Sequence, residues 1–367
     1  MKKLTYLILI FVFQTQAHFC QNTNKVDSLK QAFNTEKGDI EKVELGNLIF
    51  LELKHKAPEE ALIYVNKMLS ISKQNALKKG IGMAYHNKGY YYRFKPNSDS
   101  SRYYFKKSIE ILKQNSFDKA LCKTCEDYAT FECVQGNYDT AIKIADLGYD
   151  HAKKIKNGEF MAVASNRKST TYMDSGNFEA ATRENIIALK IIDTLKLKKP
   201  LLNAISLGHK ARIEMLRGNY NLMLAPLLES LNIAKKTNNK TWEAVTLMEI
   251  GNAHWYLENY DDAIKYYEES LNTSKEIKRN DFISMNLSNI SSIYADRGHF
   301  SQAIKTLKES IQVEKKIGSK INLTIAYNTI AEVYNSNNNF NEAIKFYNKG
   351  IKLADSIEAL DVSASNK

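Results

Sequence analysis

Apolar and small residues recur at helical spacing in pairs of segments, with a short polar turn between the two segments of each pair. The clearest pair lies around residues 247–270. Positions i, i+3, i+4 and i+7 of its first segment are Leu247, Ile250, Gly251 and His254. Positions i, i+4 and i+7 of its second segment are Ala263, Tyr267 and Ser270. The pattern predicts two antiparallel α-helices that approach closely, because small residues lie where their faces meet.

This helix pair is one copy of an internal repeat. A six-residue phrase, most simply GNYDTA, recurs in six versions that end at Ala141, Ala181, Met223, Ala263, Ala303 and Ala343. These ends are 40, 42, 40, 40 and 40 residues apart. Steps of 40 back from Ala141 reach Ser101 and Ala61, so the register predicts eight repeats over residues 42–363. Repeats 1 and 2 have lost the phrase, with Pro58 and Pro96 in or near it, and a two-residue insertion lies near residues 198–200.

The turn between the two helices of a repeat has its own signature. Glycine opens the phrase in four repeats, asparagine replaces it at Asn338, and Glu258 departs from the pattern. Glycine and asparagine tolerate the left-handed conformation in which many helices end. The aromatic residue two positions later can close the base of the hairpin. Pro226, early in the second helix of repeat 5, predicts a local irregularity there.

The phrase resembles the tetratricopeptide repeat family. The residues that carry the resemblance most fully are Leu247, Ile250, Gly251, Asn259, Tyr260, Ala263, Tyr267 and Ser270. The family's usual period is 34 residues, so a 40-residue period implies helices longer by roughly three residues, or ~4.5 Å. The resemblance implies an all-α fold, a right-handed α-solenoid of about eight helix-turn-helix repeats. Versions with 40 residues resemble the sensor and scaffold arrays of bacterial signalling proteins.

The N-terminus has the layout of a secretory signal peptide over residues 1–20: two lysines, an apolar core from Leu4 to Phe13, then small and polar residues. Cleavage after Ala17 is favoured over cleavage after Cys20; an uncleaved anchor and a lipidated Cys20 are the alternatives. We expect an exported protein, periplasmic or secreted. Residues 21–41 are expected to form a lead-in helix and residues 364–367 a short tail.

Composition and charge narrow the classes of protein. Hydrophobic residues make up 44% and charged residues 25% of the chain, with only 15 glycines and 4 prolines, which excludes a collagen-like, disordered or loop-rich all-β chain. The mean hydropathy is −0.42, and the one long apolar run is N-terminal, so we expect no membrane span in the mature chain. The net charge of +11 is interleaved with acidic residues, which argues against direct nucleic-acid binding and leaves an acidic partner open.

Catalytic and cofactor motifs are absent from the sequence: there is no phosphate-binding loop, H-E-x-x-H, G-x-S-x-G or calcium loop. We therefore predict no enzyme activity, no cofactor and no metal. Cys122, Cys125 and Cys133 crowd into repeat 3. The first two could form a disulfide or half of a metal site, but Cys125 falls on the apolar repeat position of Leu247, which favours plain packing.

The resemblance also implies a binding surface. In the family, the second, fifth, ninth and twelfth positions of each first helix line a concave groove. Carried over by register, they give the candidate ligand-binding residues His86, Tyr90, Arg93, Asn166, Arg212, Asn252, Trp255 and Asn328. Asparagine can pair with a peptide backbone, arginine can hold a carboxylate, and tryptophan or tyrosine offers flat apolar area. The family's clamp of lysines and asparagines is not reproduced.

These patterns favour an exported, non-enzymatic scaffold that binds a peptide or protein segment in its groove. The alternative is a sensory or accessory component of a bacterial signal-transduction system that acts through a partner. An enzyme with a site in the groove is a third, disfavoured hypothesis. No polar capping helix follows residues 341–360, so the last helix caps the array itself, or mediates homo-oligomerisation, or belongs to a longer regulator.

Overall fold

The computed structural model describes residues 23–95 and 98–365. The expected signal peptide over residues 1–20 lies outside these ranges. The described residues form seventeen α-helices, one 3-10 turn and no β-strand. A leading helix, α1 (Thr23–Thr35), occupies the predicted lead-in segment and packs on the next helix through Val26 and Phe33.

Eight helix pairs follow α1, one for each predicted repeat. In chain order they are α2 (Asp39–Leu53) and α3 (Pro58–Gln74), α4 (Lys78–Tyr92) and α5 (Ser98–Gln114), α6 (Asp118–Val134) and α7 (Tyr138–Lys154), α8 (Gly158–Asp174) and α9 (Phe178–Thr194), α10 (Pro200–Leu216) and α11 (Leu224–Lys236), α12 (Lys240–Tyr256) and α13 (Tyr260–Glu276), α14 (Asn280–Asp296) and α15 (Phe300–Ile317), and α16 (Lys320–Ser336) and α17 (Phe340–Ser365). The predicted all-α repeat solenoid is confirmed.

Contacts divide the chain into two compact units, residues 1–124 and residues 125–367. Within each unit the two helices of a repeat pack against each other, and first helices of neighbouring repeats also touch, as in α2 with α4, α8 with α10, and α12 with α14. Each unit therefore has a layer of first helices. Among the described helices, none combines the length and the apolarity that a bilayer crossing requires.

Serines of the second helices form hydrogen bonds to the first helix of the same hairpin. The hydroxyls of Ser108, Ser230, Ser270 and Ser310 each donate a hydrogen bond of 2.7–3.2 Å to a first-helix carbonyl 26 residues earlier in the chain. A small residue was expected here because two helices meet closely. The hydroxyl adds a second reason, since it fits between the two helices and donates a hydrogen bond to a backbone carbonyl of the opposite helix.

Left-handed residues end both turns of the repeat. The turn inside the hairpins of repeats 3 to 8 has positive φ at Gly136, Gly176, Gly218, Gly298 and Asn338, as the sequence predicted, and also at Glu258, which departs from the pattern. The turn between repeats has positive φ at a second series that the sequence did not reveal, namely Ala76, Ser116, Lys156, Lys196, Asn238, Lys278 and Gly318. Only the last of these is a glycine, so composition gave no signal.

Replacing Ala76 by glycine is expected to raise the free energy of unfolding by about 0.5–1 kcal/mol. Ala76 has a φ of +53°, where its Cβ is strained, and glycine removes the strain at some cost in unfolded-chain entropy. Gly136→Ala is the reciprocal control: a Cβ there meets nothing within 4 Å, so its loss of about 1 kcal/mol reports the backbone alone. Urea unfolding measures both, and a less stable Ala76→Gly protein contradicts the strain.

The sequence predicts a local irregularity of the superhelix at Pro226, and the structure shows an irregular helix start there. The second helix of repeat 5 opens with a 3-10 turn, Tyr220–Met223, before α11 begins at Leu224. This start places Pro226 in the first turn of α11, where its missing N–H needs no partner. The two-residue insertion lengthens the loop between α9 and α10, and Pro200 is the first residue of α10.

The cysteines of repeat 3 are packed side chains. Cys122, Cys125 and Cys133 are free thiols and all three are buried, so the alternative of a Cys122–Cys125 disulfide is not realised. Burial raises the pKa of Cys122 and of Cys133 to about 11, which keeps both thiols protonated and unreactive near neutral pH. Among residues 23–95 and 98–365, no group of three or more His, Cys, Asp or Glu could hold a metal ion.

Candidate functional site

A polar residue recurs at one position of every first helix. It is the tenth residue of each first helix from α4 to α16, and its register equivalent in α2 is Asn47. The series is Asn47, Asn87, Asp127, Arg167, His209, Glu249, Asn289 and Thr329. Asn87, Asp127 and His209 are buried and the other five are half-buried, so the series marks a polar face of the first helices where an apolar residue would be expected to be more stable.

Three ionisable members of this series, Arg167, His209 and Glu249, follow one another in the second compact unit. With the nearby Asp174 and Arg212 they form a cluster across α8, α10 and α12, which we call the charged row: Arg167, Asp174, His209, Arg212 and Glu249. Nη2 of Arg212 lies 3.7 Å from Oδ1 of Asp174, and the Cys133 thiol donates to Oδ2 of Asp174 at 3.3 Å. Burial raises the pKa of Asp174, and the charges of Arg212 and Arg167 oppose that shift.

His209 is the deepest member of the row, with 6% of its surface exposed. Burial lowers the pKa of its imidazole to about 3, and the positive charges of Arg212 and Arg167 act in the same direction. His209 is therefore neutral throughout the physiological pH range. It contributes hydrogen-bonding capacity to the row and no charge.

Glu249 is the member without a partner. Its side chain is half-buried, and no hydrogen bond or ion pair to its carboxylate is found within the part of the chain that the structure describes. Burial raises the pKa of Glu249 to about 7, against the lowering effect of Arg212. Near neutral pH the carboxyl is thus divided between its two protonation states.

Gly208 of α10 is buried against α12, close to Glu249. A Cβ placed on Gly208 of α10 would lie 3.5 Å from Cζ2 of Trp242 and 3.8 Å from Oε2 of Glu249. The indole is held in place because its Nε1 donates to Oγ of Ser230 at 2.9 Å. The edge of the indole ring and the carboxylate therefore both pack close to Gly208.

Three sequence candidates lie in the first compact unit, in or just after α4. Tyr90 is 2% exposed, with its hydroxyl 3.1 Å from Nε2 of His55, so its burial corrects the expected surface position. The guanidinium carbon of Arg93 lies 4.0 Å from the Tyr90 ring centroid. His86 is half-buried, and its Nδ1 is 3.1 Å from Oγ1 of Thr124.

Five candidates lie in the second compact unit, and three of them are tied to neighbours. Asn166 is 5% exposed and donates to Oγ of Ser206 at 2.7 Å, so it lies inside the helix layer and not on its surface. The Asn252 side chain accepts a 2.6 Å bond from the Tyr267 hydroxyl. Trp255 donates from Nε1 to Oδ2 of Asp296 at 3.2 Å.

The remaining two candidates differ in their surroundings. Arg212 is a member of the charged row, and Asn252 has the same position in the next first helix, so these two candidates share one face. Asn328 of α16 is exposed and lies outside the row. The sequence register therefore places Arg212 and Asn252 on the same face, and their role in binding stays a prediction.

At Asn166 the same register lies one residue away from the accessible side chain. It selected Asn166, which is buried, whereas the following residue Arg167 is half-buried. One residue rotates a side chain by about 100° around the helix axis, enough to move it from the layer surface into the packing. A signal was present in the sequence, because polar residues recur at the tenth helix position.

Two family models, both described as tetratricopeptide repeat, match residues 202–276 and residues 325–356. The matched segments coincide with helix pairs whose geometry is that of the repeat. The chain is a tetratricopeptide repeat protein. No curated protein sequence matches this tetratricopeptide repeat protein.

Several solved structures are similar to this tetratricopeptide repeat protein in fold. The quorum sensor NprR from B. thuringiensis, in its apo form, has 16% identity and a TM-score of 0.60, over 89% of this chain and 92% of that chain. Aspartyl phosphate phosphatase F from Bacillus subtilis has 13% identity and a TM-score of 0.59, over 92% and 96%.

A third structure contains a similar array within a longer protein. It is a signal transduction ATPase with numerous domains from Pyrococcus horikoshii, with a tetratricopeptide repeat sensor, 18% identity and a TM-score of 0.56. The match covers 94% of this chain and 55% of that one. At such identities the three likenesses concern the fold alone.

Proposed function

We propose that this tetratricopeptide repeat protein is a non-enzymatic scaffold that binds an extended peptide, or a segment of a partner protein, on the face formed by α8, α10 and α12. The charged row is the observation that carries the proposal. Buried and half-buried charges cost stability, and such groups persist where they serve recognition. The row also spans the first helices of three consecutive repeats, which suits a ligand that is longer than a small molecule.

The polar groups of this face match the chemistry of a peptide. Arg167 and Arg212 carry planar donors, and Asn252 keeps an amide that can pair with a backbone while its oxygen accepts from Tyr267. Trp242 and Trp255, both half-buried on α12, add flat apolar area next to these groups. A face of this kind can pair with a peptide backbone and hold a few side chains.

We further propose that the protein is exported, on the strength of the signal-peptide layout of residues 1–20. A role as the sensory or accessory component of a signal-transduction system is the second candidate function. Two similar structures, a quorum sensor and an ATPase with a repeat sensor, favour it. In that role the same face would bind the signal or the signalling partner.

Self-association through the last helix has one observation in its favour. Ile351 on α17 is 56% exposed, whereas Ile311, its equivalent one repeat earlier, is 4% exposed because the next first helix covers it. Phe340 and Ile344 extend the exposed apolar stripe along α17. Light scattering of the full chain separates a dimer from a monomer.

The binding face can be tested by selecting displayed random peptides on the full chain. We expect retained peptides to bind the Arg212→Ala/Asp174→Asn protein at least tenfold more weakly. Both partners are changed together because a lone Asp174 carboxylate would be left buried without its cation. Arg183→Ala/Asp193→Asn, which alters two exposed residues of α9, is the matched control and should bind as the wild type does. Equal binding by all three proteins would place the site on another surface.

A further inference from the structure

Lys88, the eleventh residue of α4, occupies a repeat position that α12, α14 and α16 fill with isoleucine. The register equivalents are Ile250, Ile290 and Ile330, and all three are buried. Lys88 is half-buried, and this burial lowers the pKa of its ammonium group. An isoleucine would be more stable here than a partly desolvated cation, so packing alone does not account for the lysine.

The same position of repeat 4 shows how the array compensates a lysine. Lys168 on α8 is 9% exposed, and its Nζ lies 3.0 Å from Oδ1 of Asp146 on α7 and 3.0 Å from Oε1 of Glu184 on α9. Burial lowers the pKa of Lys168, but the hydrogen bonds to Glu184 and Asp146 outweigh that effect and the pKa is raised. Carboxylates from the two flanking second helices therefore stabilise the buried cation.

Repeat 2 has lost both of these carboxylates. The register equivalents of Asp146 and Glu184 are Asn66 on α3 and Tyr104 on α5. Nζ of Lys88 lies 5.2 Å from the centroid of the Tyr104 ring. Within the part of the chain that the structure describes, no ion pair or hydrogen bond joins Lys88 to a carboxylate. Lys88 thus has the position of Lys168 without the anions that compensate Lys168.

A second lysine and two more tyrosines surround this position. After burial, the second cause of the lowered pKa of Lys88 is the positive charge of Lys73 on α3. Nζ of Lys73 lies 5.9 Å from the centroid of the Tyr85 ring. Tyr85 and Tyr92 both stack on Tyr104, with ring centroids 6.0 Å and 5.3 Å apart. Two neighbouring positive charges attract an anion, and the stacked rings add flat apolar area beside them.

We propose that Lys88 and Lys73 bind the carboxylate of an aspartate or glutamate side chain in a segment of a partner protein. The ligand's carboxylate takes the role that Asp146 and Glu184 have in repeat 4. A protein segment suits the site better than a small ion does, because the three stacked tyrosines offer contact area beyond the charge. All of the proposed residues belong to the first compact unit, and neither lysine is among the positions that the family register selects.

Heptapeptides from a random library provide the probes, after selection on the full chain and counter-selection on its Lys88→Ile variant. Counter-selection removes peptides that bind elsewhere, and Lys88→Ile restores the isoleucine of the later repeats, so this variant should fold. We expect the remaining peptides to be enriched in aspartate and glutamate. Tyr104→Glu recreates the carboxylate of repeat 4 and should weaken their binding at least tenfold, because an internal anion then pairs with Lys88.

Two further variants make the test independent of the fold of Tyr104→Glu. Asn66→Asp recreates the other carboxylate at an exposed position and should also weaken binding, whereas Lys106→Ile, an exposed change on α5, is the matched control and should bind as the wild type does. Circular dichroism shows whether each variant keeps its helices.

The outcomes separate this inference from the proposed peptide-binding face. Counter-selection that leaves no peptide, or leaves peptides without acidic enrichment, would overturn the carboxylate site and leave the face of α8, α10 and α12 intact. Acidic peptides that bind Tyr104→Glu and Asn66→Asp as well as the wild type would also overturn the site. Failure of the full chain to retain any peptide would overturn both proposals.

Discussion

Replacing Gly251 by valine is expected to lower the free energy of unfolding by about 3 kcal/mol. A Cβ at this position would lie 2.7 Å from both Cδ1 and Cε1 of Tyr267, closer than a real side chain can come. The ring cannot easily yield, since it is 1% exposed and its hydroxyl is bonded to Asn252. Overpacking of this kind forces backbone shifts between α12 and α13. Gly89 meets Phe105 in the same way in repeat 2, at 2.8 Å.

Gly208→Ala is the matched control for this prediction. Gly208 is also inside a first helix, but its nearest neighbour would be at 3.5 Å, an ordinary contact. The alanine should therefore be neutral or stabilising by up to about 1 kcal/mol, the difference in helix propensity. Urea unfolding followed by circular dichroism measures both variants. Wild-type stability of Gly251→Val would show that the two helices do not depend on this close approach.

Replacing Glu249 by glutamine is expected to stabilise the protein at pH 8, by about 1–3 kcal/mol, while it weakens binding. The folded-state pKa of Glu249 is about 7 and its ordinary value is 4.5. The folded protein therefore holds an extra proton between these values, and its stability falls as the pH rises from 4.5 to 7. Glutamine keeps the shape of the side chain and carries no charge to desolvate. A gain of stability with a loss of binding is typical of a functional site.

His209 gives the stability of the folded protein the opposite dependence on pH. Its pKa is about 3 in the folded protein and 6.5 ordinarily, so the unfolded chain binds the extra proton and stability is lost as the pH falls from 6.5 to 3. Between pH 4.5 and pH 6.5 the slopes of His209 and Glu249 cancel. Through these two groups the stability of the wild type should therefore change little with pH over this range. The stability of the Glu249→Gln protein should instead rise with pH.

Urea unfolding at pH 4.5, pH 6 and pH 8 checks both groups together. The wild type and Glu249→Gln are expected to be almost equally stable at pH 4.5, where Glu249 is protonated in the folded state and half protonated in the unfolded state, and to diverge towards pH 8. A Glu249→Gln protein that is no more stable than the wild type at pH 8 would mean that the carboxylate has a partner in solution.

The sequence predicted the fold through features that are local and periodic. The six-residue phrase placed every hairpin of repeats 3 to 8, and the turn glycines gave the left-handed residues inside the hairpins. The second series of left-handed residues was missed because Lys156 and Lys278 occupy positions where glycine would be the usual signal. Hydrogen bonding of the turn backbone imposes the conformation there in spite of the side chain.

The binding face was predicted less well because side-chain direction depends on small rotations. A family register transferred onto helices of different length selects Arg212 and Asn252 on one face, but at Asn166 it selects a buried side chain next to the more accessible Arg167. Gly208, Glu249 and Trp242, near the start of α12, lie close together only because α12 packs against α10. Such a juxtaposition between neighbouring helices has no signature in a single sequence.

The two tryptophans of the chain, Trp242 and Trp255, both lie on α12, so fluorescence excited selectively at tryptophan reports on this helix without signal from the 21 tyrosines. The most direct measurement is a fluorescence titration of the full chain with a selected peptide that lacks tryptophan, with calorimetry as the independent measure of binding. We predict a saturable change whose midpoint agrees with the calorimetric Kd and which shifts at least tenfold in the Arg212→Ala/Asp174→Asn protein. Calorimetric binding without a fluorescence change, and undiminished in that variant, would contradict peptide recognition by α8, α10 and α12.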